Sequence, residues 1–509
     1  MNDINLDKYY IINPAYKFKD DTKRVILTNN NTLYVDNYNR LETGFSAGFS
    51  TIVHPLVAYM FAFFNGEMNL RDTITELSSV INKPFDDVLR TFSLFIYNSE
   101  KQMYRLPKNL VAPIPINFII EKQDLPIRDL LGNIDINKML LDPELNLNTF
   151  RNYVPNEISL MITNKCMTDC VYCYADTSHK VENPLTFERV KELIEEAHSL
   201  GCREFGIIGG DIFLYKKWDE LLEILHKYEY NPYISTKIPI GEDEIIKLKE
   251  RNIDNVQISL DTVDREVLKT MIKVPHSYLD KMKNTFDLLQ KYNIKLTVKS
   301  VITKFNDDLT SVKNLIDFLV QYDNLHTITI TPGEFSLHKP FTYKSNKENI
   351  SKIQEYVKEL NNPKVFMQPH NAPDNSCFEK KMIKHNNRAM CSGNASSLFI
   401  LPDGKVTICE QMYWTPFFLL GDVTHNTIME VWNSPKALSL WNIKQEEFQD
   451  ASPCKKCNIF ENCRRGLGSC WRMAMMAYGT ENYDFPYPQC PYAPPVTKPF
   501  YIDEDIAVE

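Results

Sequence analysis

Three cysteines stand close together in Lys165-Cys166-Met167-Thr168-Asp169-Cys170-Val171-Tyr172-Cys173-Tyr174. At this C-x3-C-x2-C spacing the thiolates can hold three irons of a cubane [4Fe–4S] cluster, leaving the fourth without a protein ligand. A cluster that only carries electrons takes four protein thiolates; one with an open iron can bind and activate a small molecule there. Zinc is the competing reading, but it wants a fourth ligand nearby, and His179 is a poor candidate. More thiols close the chain: Cys391 and Cys409, then Cys454-x2-Cys457-x5-Cys463-x6-Cys470, and finally Cys490. Cys-x2-Cys pairs suit zinc as well as iron. Gly209-Gly210-Asp211 holds the chain's one Gly-Gly pair, which lets backbone approach a ligand without side-chain obstruction.

The elements that must position these residues read as alternating strands and helices. Glu157–Ile162 is a short apolar strand that delivers the cysteine loop. Apolar residues then recur at helical steps from Leu185 to Leu200 and stop at Gly201. Strand-like runs follow at 204–208, 233–238, 255–260, 294–302 and 326–331, with helical patterns at 244–251, 278–292 and 309–321. Repeated strand–helix units imply parallel strands with helices outside. About six units is fewer than the eight of a closed barrel. Chemistry in such folds sits at the C-terminal ends of the strands, and that is where Gly209-Gly210-Asp211, Ser235-Thr236-Lys237, Ser259-Leu260-Asp261, and Thr303 with Asn306 fall. Asp403-Gly404 predicts a hairpin between 397–401 and 406–409. Before the strand–helix repeats, Arg24–Leu27 and Thr32–Val35 read as strands, and His54–Phe64, Leu70–Ile81 and Phe85–Tyr97 as three helices. Pro107 to Pro126 reads as an extended linker.

From Cys166 onward the chain resembles the radical S-adenosylmethionine (SAM) superfamily. That resemblance implies an α/β fold with a six-stranded partial (β/α)6 barrel. It also implies that the open iron chelates SAM, whose reductive cleavage yields a 5′-deoxyadenosyl radical that abstracts hydrogen from substrate. Cys166, Cys170 and Cys173 would be the catalytic cluster ligands. Tyr172, Gly209, Gly210, Asp211, Ser235, Ser259, Asp261, Thr303 and Asn306 would line the SAM pocket; Asp211 stands where the family usually has Glu, keeping the acceptor with shorter reach. The C-terminal cysteines resemble the SPASM extension of peptide-modifying members, with the usual x3 spacing before Cys470 widened to x6. The resemblance assigns Cys391, Cys409 and Cys470 to one auxiliary [4Fe–4S] cluster and Cys454, Cys457, Cys463 and Cys490 to another, three clusters in all. Cys377 is the candidate fourth ligand of the first; otherwise that cluster has an open iron. Cys202 reads as a buried, inert thiol, with a hydrogen-atom donor as the alternative.

The amino-terminal layout, with His54-Pro55-Leu56-Val57-Ala58 leading into Phe63-Phe64-Asn65-Gly66, resembles the winged-helix precursor-recognition domains of ribosomal peptide maturation, among them the small chaperone of pyrroloquinoline quinone biosynthesis. Such domains bind a leader peptide at a sheet edge. Nucleic acid is an improbable partner for a 509-residue chain of net charge −9. Met1–Tyr10 lacks an apolar signal core, and Leu56–Phe64 is too short to span a bilayer. The expectation is a cytoplasmic protein whose twelve cysteines are ligands or catalytic thiols rather than disulfides. The expected organisation is a recognition domain over 1–106, a linker over 107–150, the barrel over 151–340, a bridging region over 341–390, the SPASM domain over 391–495 and a tail over 496–509. The resemblance as a whole implies a maturase that crosslinks a precursor peptide through a thioether or carbon–carbon bond. It would draw electrons from a flavodoxin or ferredoxin. Peptide epimerisation and formylglycine generation in a sulfatase are the alternatives.

Overall fold

The computed structural model describes residues 4–29, 49–105, 111–122, 129–147, 149–368, 376–388 and 390–498. The chain divides into two compact units. The first comprises 1–157 with 195–204 and 227–231; the second comprises 158–194, 205–226 and 232–509.

In the first unit, β1 (Tyr9–Ile12), β2 (Tyr16–Asp20), β3 (Val25–Asn29) and β4 (Ser50–Val53) precede three helices, α1 (Pro55–Ala62), α2 (Leu70–Ile81) and α3 (Phe85–Ser93). The helix starts follow from capping: His54 Nδ1 accepts from the Leu56 N–H, and Asn69 Oδ1 accepts from that of Asp72. The strand expected at Arg24–Leu27 is β3, central in an antiparallel β2-β3-β4 sheet; the strand expected at Thr32–Val35 lies outside the described residues. A further strand, β5 (Asn65–Asn69), intervenes between α1 and α2 and pairs with β1. Gly66 permits this at φ +85°, where an added Cβ would meet Ile11 Cγ2 at 2.7 Å. The stretch read as extended linker is extended, yet its strands are integral to this unit. After β6 (Gln102–Arg105) come β7 (Val111–Ile114), paired with β6, and β8 (Ile119–Glu121), paired with β1. Phe118 between them is fully buried, edge-on to Phe61 with ring centroids 4.9 Å apart. Apolar burial, rather than hydrophobic periodicity, captures this segment.

The repeats begin with β9 (Glu157–Thr163) and β10 (Glu204–Gly209). They continue through β11 (Ile234–Thr236), β12 (Asn255–Ser259), β13 (Lys295–Ile302), β14 (Leu325–Pro332) and β15 (Val365–Met367). β11 to β15 form one all-parallel sheet in chain order. β15 is a strand beyond the six expected; it lies in the stretch read as a bridging region. Helices separate the strands, each burying one stripe. In Leu309–Leu319, capped by Asp308, the buried residues are Val312, Leu315, Ile316 and Leu319. The expected hairpin is present as β16 (Ser397–Ile400) and β17 (Lys405–Thr407), turning at Gly404 with φ +84° and extended by β18 (Leu419–Asp422). β16 is hydrogen-bonded to β9, the strand that leads into Cys166. Among the described residues no helix is long and apolar enough to cross a membrane.

Candidate active site and auxiliary thiol sites

The loop after β9 is fixed from three sides. The N–H groups of Asp169 and Val171 donate to Ile272 and Met271 carbonyls at 3.1 and 2.9 Å. Ser336 Oγ donates to the Cys173 carbonyl at 2.8 Å, and Lys339 pairs with Asp169 at 2.7 Å. Thr168 Oγ1 sits 3.2 Å from Cys166 Sγ and 3.4 Å from Cys170 Sγ, so one hydroxyl sets two of the three sulfurs. Gly209 and Gly210 serve the same loop. A Cβ on Gly209 would stand 2.7 Å from the Thr163 carbonyl, and one on Gly210 would overlap that of Lys165. Their strand end hydrogen-bonds there, Gly210 N to Thr163 O at 2.6 Å and Asp211 N to Lys165 O at 2.8 Å. The close approach that needs these glycines is therefore to the cysteine loop's own backbone.

Beside the trio lies a buried polar group. Lys237 Nζ is 2.8 Å from Asp261 Oδ2 and 2.5 Å from the Tyr172 hydroxyl, which itself donates to Asp261. Desolvation would lower the Lys237 pKa, but Asp261 and the neighbouring Cys170 outweigh it and hold it above the ordinary value. Tyr172, expected to line the SAM pocket, spends its hydroxyl on this pair. Asp261 Oδ1 accepts from the Val301 N–H at 2.9 Å, so both carboxylate oxygens are engaged within the fold. Asp211 is likewise occupied: it accepts from Thr236 Oγ1 at 2.6 Å and from the N–H groups of Phe213 and Lys237, while burial pushes its pKa up. Asn306 accepts from the N–H and hydroxyl of Thr303 and donates to the carbonyls of Asp261 and Val301, exhausting its capacity. Thr303 and Asn306 thus brace the strand end that carries Asp261. Ser235 and Ser259 are linked across β11 and β12 through Gln257, at 2.6 and 2.9 Å. Ser235 is exposed and Ser259 half-buried.

The C-terminal thiols fall into two groups. Cys454, Cys457, Cys463 and Cys490 line a single pocket with His385, Arg464 and Tyr487. Cys391, Cys409 and Cys470 are mutual electrostatic neighbours, with Cys391 lining a second pocket. Burial pushes the Cys173 and Cys490 thiols up to about 11 and that of Cys409 to about 12. Such thiols ionise only beside compensating positive charge, which iron supplies. Among the described residues no group of three His, Cys, Asp or Glu side chains is placed to hold a single metal ion. His179 stacks on Trp414 at 3.8 Å. Cys377 is exposed at the start of helix Phe378–Asn386, hydrogen-bonded to Glu379, whereas the other seven C-terminal cysteines are buried or half-buried. Cys202 is buried in the first unit, its thiol donating to the Pro155 carbonyl at 3.1 Å, and desolvation raises its pKa to about 11.

Comparison with known proteins agrees with this geometry. The Radical SAM superfamily model matches residues 160–319, and the SPASM iron–sulfur cluster-binding domain model matches 391–458. The chain carries both domains. The radical SAM domain marks it as an enzyme, and the residues of its trio fit a [4Fe–4S] cluster and SAM. It is similar to the antilisterial bacteriocin subtilosin biosynthesis protein AlbA of Bacillus subtilis, 23% identical over 62% of this chain and 67% of the relative. It is also similar to a probable GTP 3′,8-cyclase of Methanopyrus kandleri, 21% identical over 50% and 80%. Streptococcus suis SuiB bound to S-adenosylmethionine shares the fold, with a TM-score of 0.61 at 14% identity over 94% of this chain and 99% of that one. SuiB bound to its precursor peptide SuiA gives 0.59 at 14% identity over 94% and 98%. The SPASM match ends before Cys463, Cys470 and Cys490; the first pocket supplies Cys463 and Cys490, and Cys470 stands beside Cys391 and Cys409. Lys237 belongs to the Ser235-Thr236-Lys237 stretch expected at a strand end, whereas Arg388 and Arg464 were not anticipated as site residues. Lys237 was visible as a charge at a strand end; the two arginines carry no sequence signal, since their role depends on which sulfurs the fold brings to them.

Proposed function

We propose that this enzyme matures a ribosomally made precursor peptide, taking a hydrogen from a core residue and closing an intramolecular thioether or carbon–carbon crosslink. The observation that carries this reading is the convergence of Cys454, Cys457, Cys463 and Cys490 on one pocket, in a chain that also carries a three-cysteine radical SAM loop. A closed four-thiolate site has no position for a substrate and suits electron transfer, which an oxidative bond closure requires. Likeness to AlbA and SuiB supports a peptide as substrate.

Cys166, Cys170 and Cys173 would hold the SAM-binding cluster, and Cys391, Cys409 and Cys470 with Cys454, Cys457, Cys463 and Cys490 two auxiliary clusters. When bound, the first cluster and SAM supply a carbon-centred radical able to abstract hydrogen. Around it, Gly209, Gly210 and the bracing of Thr303 and Asn306 keep the strand ends in place. Ser235 and Ser259 offer hydroxyls on the SAM side, and the Lys237–Asp261–Tyr172 group fixes a buried cation beside the sulfurs. The exposed Cys377 leaves Cys391, Cys409 and Cys470 as three ligands with an open iron. The first unit would bind the leader: its order of helix, strand, two helices and hairpin (α1, β5, α2, α3, β6–β7) suits a winged-helix module. Leader binding raises the local concentration of the core peptide. A flavodoxin or ferredoxin of the cytosol would supply electrons.

The test is anaerobic reconstitution with SAM, reductant and the short peptide encoded beside the gene, read by mass spectrometry. Loss of two hydrogens supports the crosslink. Unchanged mass with solvent deuterium gained replaces it with epimerisation, and a formylglycine in a sulfatase-derived peptide replaces the substrate class.

A further inference from the structure

Arg464 follows Cys463 directly and is 7% exposed. Its Nη2 lies 3.3 Å from Cys454 Sγ and also donates to the carbonyls of Asp484 and Phe485 at 3.1 and 3.0 Å. The guanidinium lies against the rings of Phe448 and Trp471, 5.0 Å from each centroid. Its Nε and Nη1 are buried without a hydrogen-bond partner. On the same quartet, Arg388 Nη2 donates to Cys463 Sγ at 3.1 Å and to the Gly468 carbonyl at 2.6 Å. Two guanidiniums thus reach two different sulfurs of one four-thiol pocket.

Tying down carbonyls does not by itself account for this arrangement. A neutral side chain could pack against these rings, whereas a buried charge with two unsatisfied donors is unfavourable unless negative charge lies beside it. A four-thiolate [4Fe–4S] centre provides that charge in either redox state and gains one more negative charge on reduction. N–H···S hydrogen bonds and fixed positive charge both favour the reduced state. Arg464 also lines the pocket of Cys391, but among the described residues no guanidinium hydrogen bond reaches the sulfur of Cys391, Cys409 or Cys470. Half-buried Glu410, its charge partly offset by Arg472 and Lys299, stands beside Cys409, and the donors to Cys391 and Cys409 are the backbone N–H groups of Gly393 and Gln411.

We propose that Arg388 and Arg464 set the reduction potential of the cluster held by Cys454, Cys457, Cys463 and Cys490, keeping it above that of the cluster at Cys391, Cys409 and Cys470. The quartet is then the auxiliary centre reduced first. This rests on the reading of the quartet as one cluster's ligands.

The test is an EPR-monitored redox titration of the anaerobically reconstituted full chain, with the quartet's signal identified by its loss in Cys457→Ala. Arg388→Gln and Arg464→Gln should each lower the ratio of reduced to oxidised quartet, at the unaltered protein's midpoint, by about tenfold, equivalent to about 59 mV for a one-electron couple. Arg388→Lys, which keeps the charge, should recover part of that shift. Iron content separates tuning from damage: if Arg464→Gln loses iron, half-buried Arg388 decides through its own variant. An iron-replete Arg388→Gln protein with an unmoved midpoint overturns the proposal. Should Cys457→Ala leave iron content and every signal unchanged, the quartet reading itself fails.

Discussion

The radical SAM trio and the C-terminal quartet are both buried thiol sites in one unit, yet they meet positive charge differently. At the trio, Lys237 is bound to Asp261 and Tyr172, so its charge is largely matched by a carboxylate and none of its described hydrogen bonds goes to sulfur. At the quartet, Arg388 and Arg464 donate to sulfur directly, and no carboxylate is bonded to either guanidinium among the described residues. Three ligands with a neutralised neighbour suit a site that must keep an iron free for a ligand and reduce it with difficulty. Four ligands under two guanidiniums suit a site that accepts electrons and binds nothing else. The same thiol chemistry is turned to two tasks by what lies around it.

The largest effect should follow removal of a trio sulfur. Cys170→Ala is expected to abolish 5′-deoxyadenosine formation while the quartet's EPR signal persists; deoxyadenosine at the unaltered rate would sink the trio as the active centre. Gly210→Ala approaches this without touching a ligand. Its Cβ would overlap the Lys165 carbonyl, and displacing a reacting site by about 1 Å can cost about a hundredfold in rate. SAM cleavage should fall by that order with the quartet intact. Cys457→Ala is the reverse experiment: peptide product should drop sharply while deoxyadenosine still forms in part. Equal loss of both would mean that the two sites do not have separable tasks. Asp261→Asn leaves Lys237 buried without its counter-charge, and breaking a buried pair from one side costs about 3–5 kcal/mol. Chemical denaturation should show that loss.

Much of this contrast was legible beforehand because cysteine spacing is a local property. The C-x3-C-x2-C loop, the Cys454-x2-Cys457 pair and the Asp403-Gly404 hairpin all lie within short windows, and the strand–helix periods around them are regular. What escaped depended on distant segments. Asp211, Asp261, Thr303 and Asn306 stand at strand ends as expected, but their hydrogen-bonding capacity is taken up inside the fold, which no window of sequence could show. β5 and β8 are invisible to periodicity because each is fixed by pairing with β1 rather than by its own pattern. Arg464 reads as an ordinary basic residue until Cys454, ten positions earlier, is brought to its Nη2.

The smallest effect tests whether hydrogen bonding to sulfur matters at the trio at all. Thr168 Oγ1 lies within reach of both Cys166 and Cys170, but a hydroxyl has one proton and can donate to only one sulfur at a time. Thr168→Val keeps the shape and removes that proton, a loss of about 1 kcal/mol if the bond is an ordinary one. Because donation to sulfur favours the reduced cluster, the trio's midpoint should move to more negative potential, lowering the ratio of reduced to oxidised cluster about fivefold at the original midpoint. That is less than expected of either arginine at the quartet, where the donor carries a full charge. A Thr168→Val shift as large as that of Arg388→Gln would mean that charge adds little to hydrogen bonding, and the contrast between the two sites would then rest on ligand count alone.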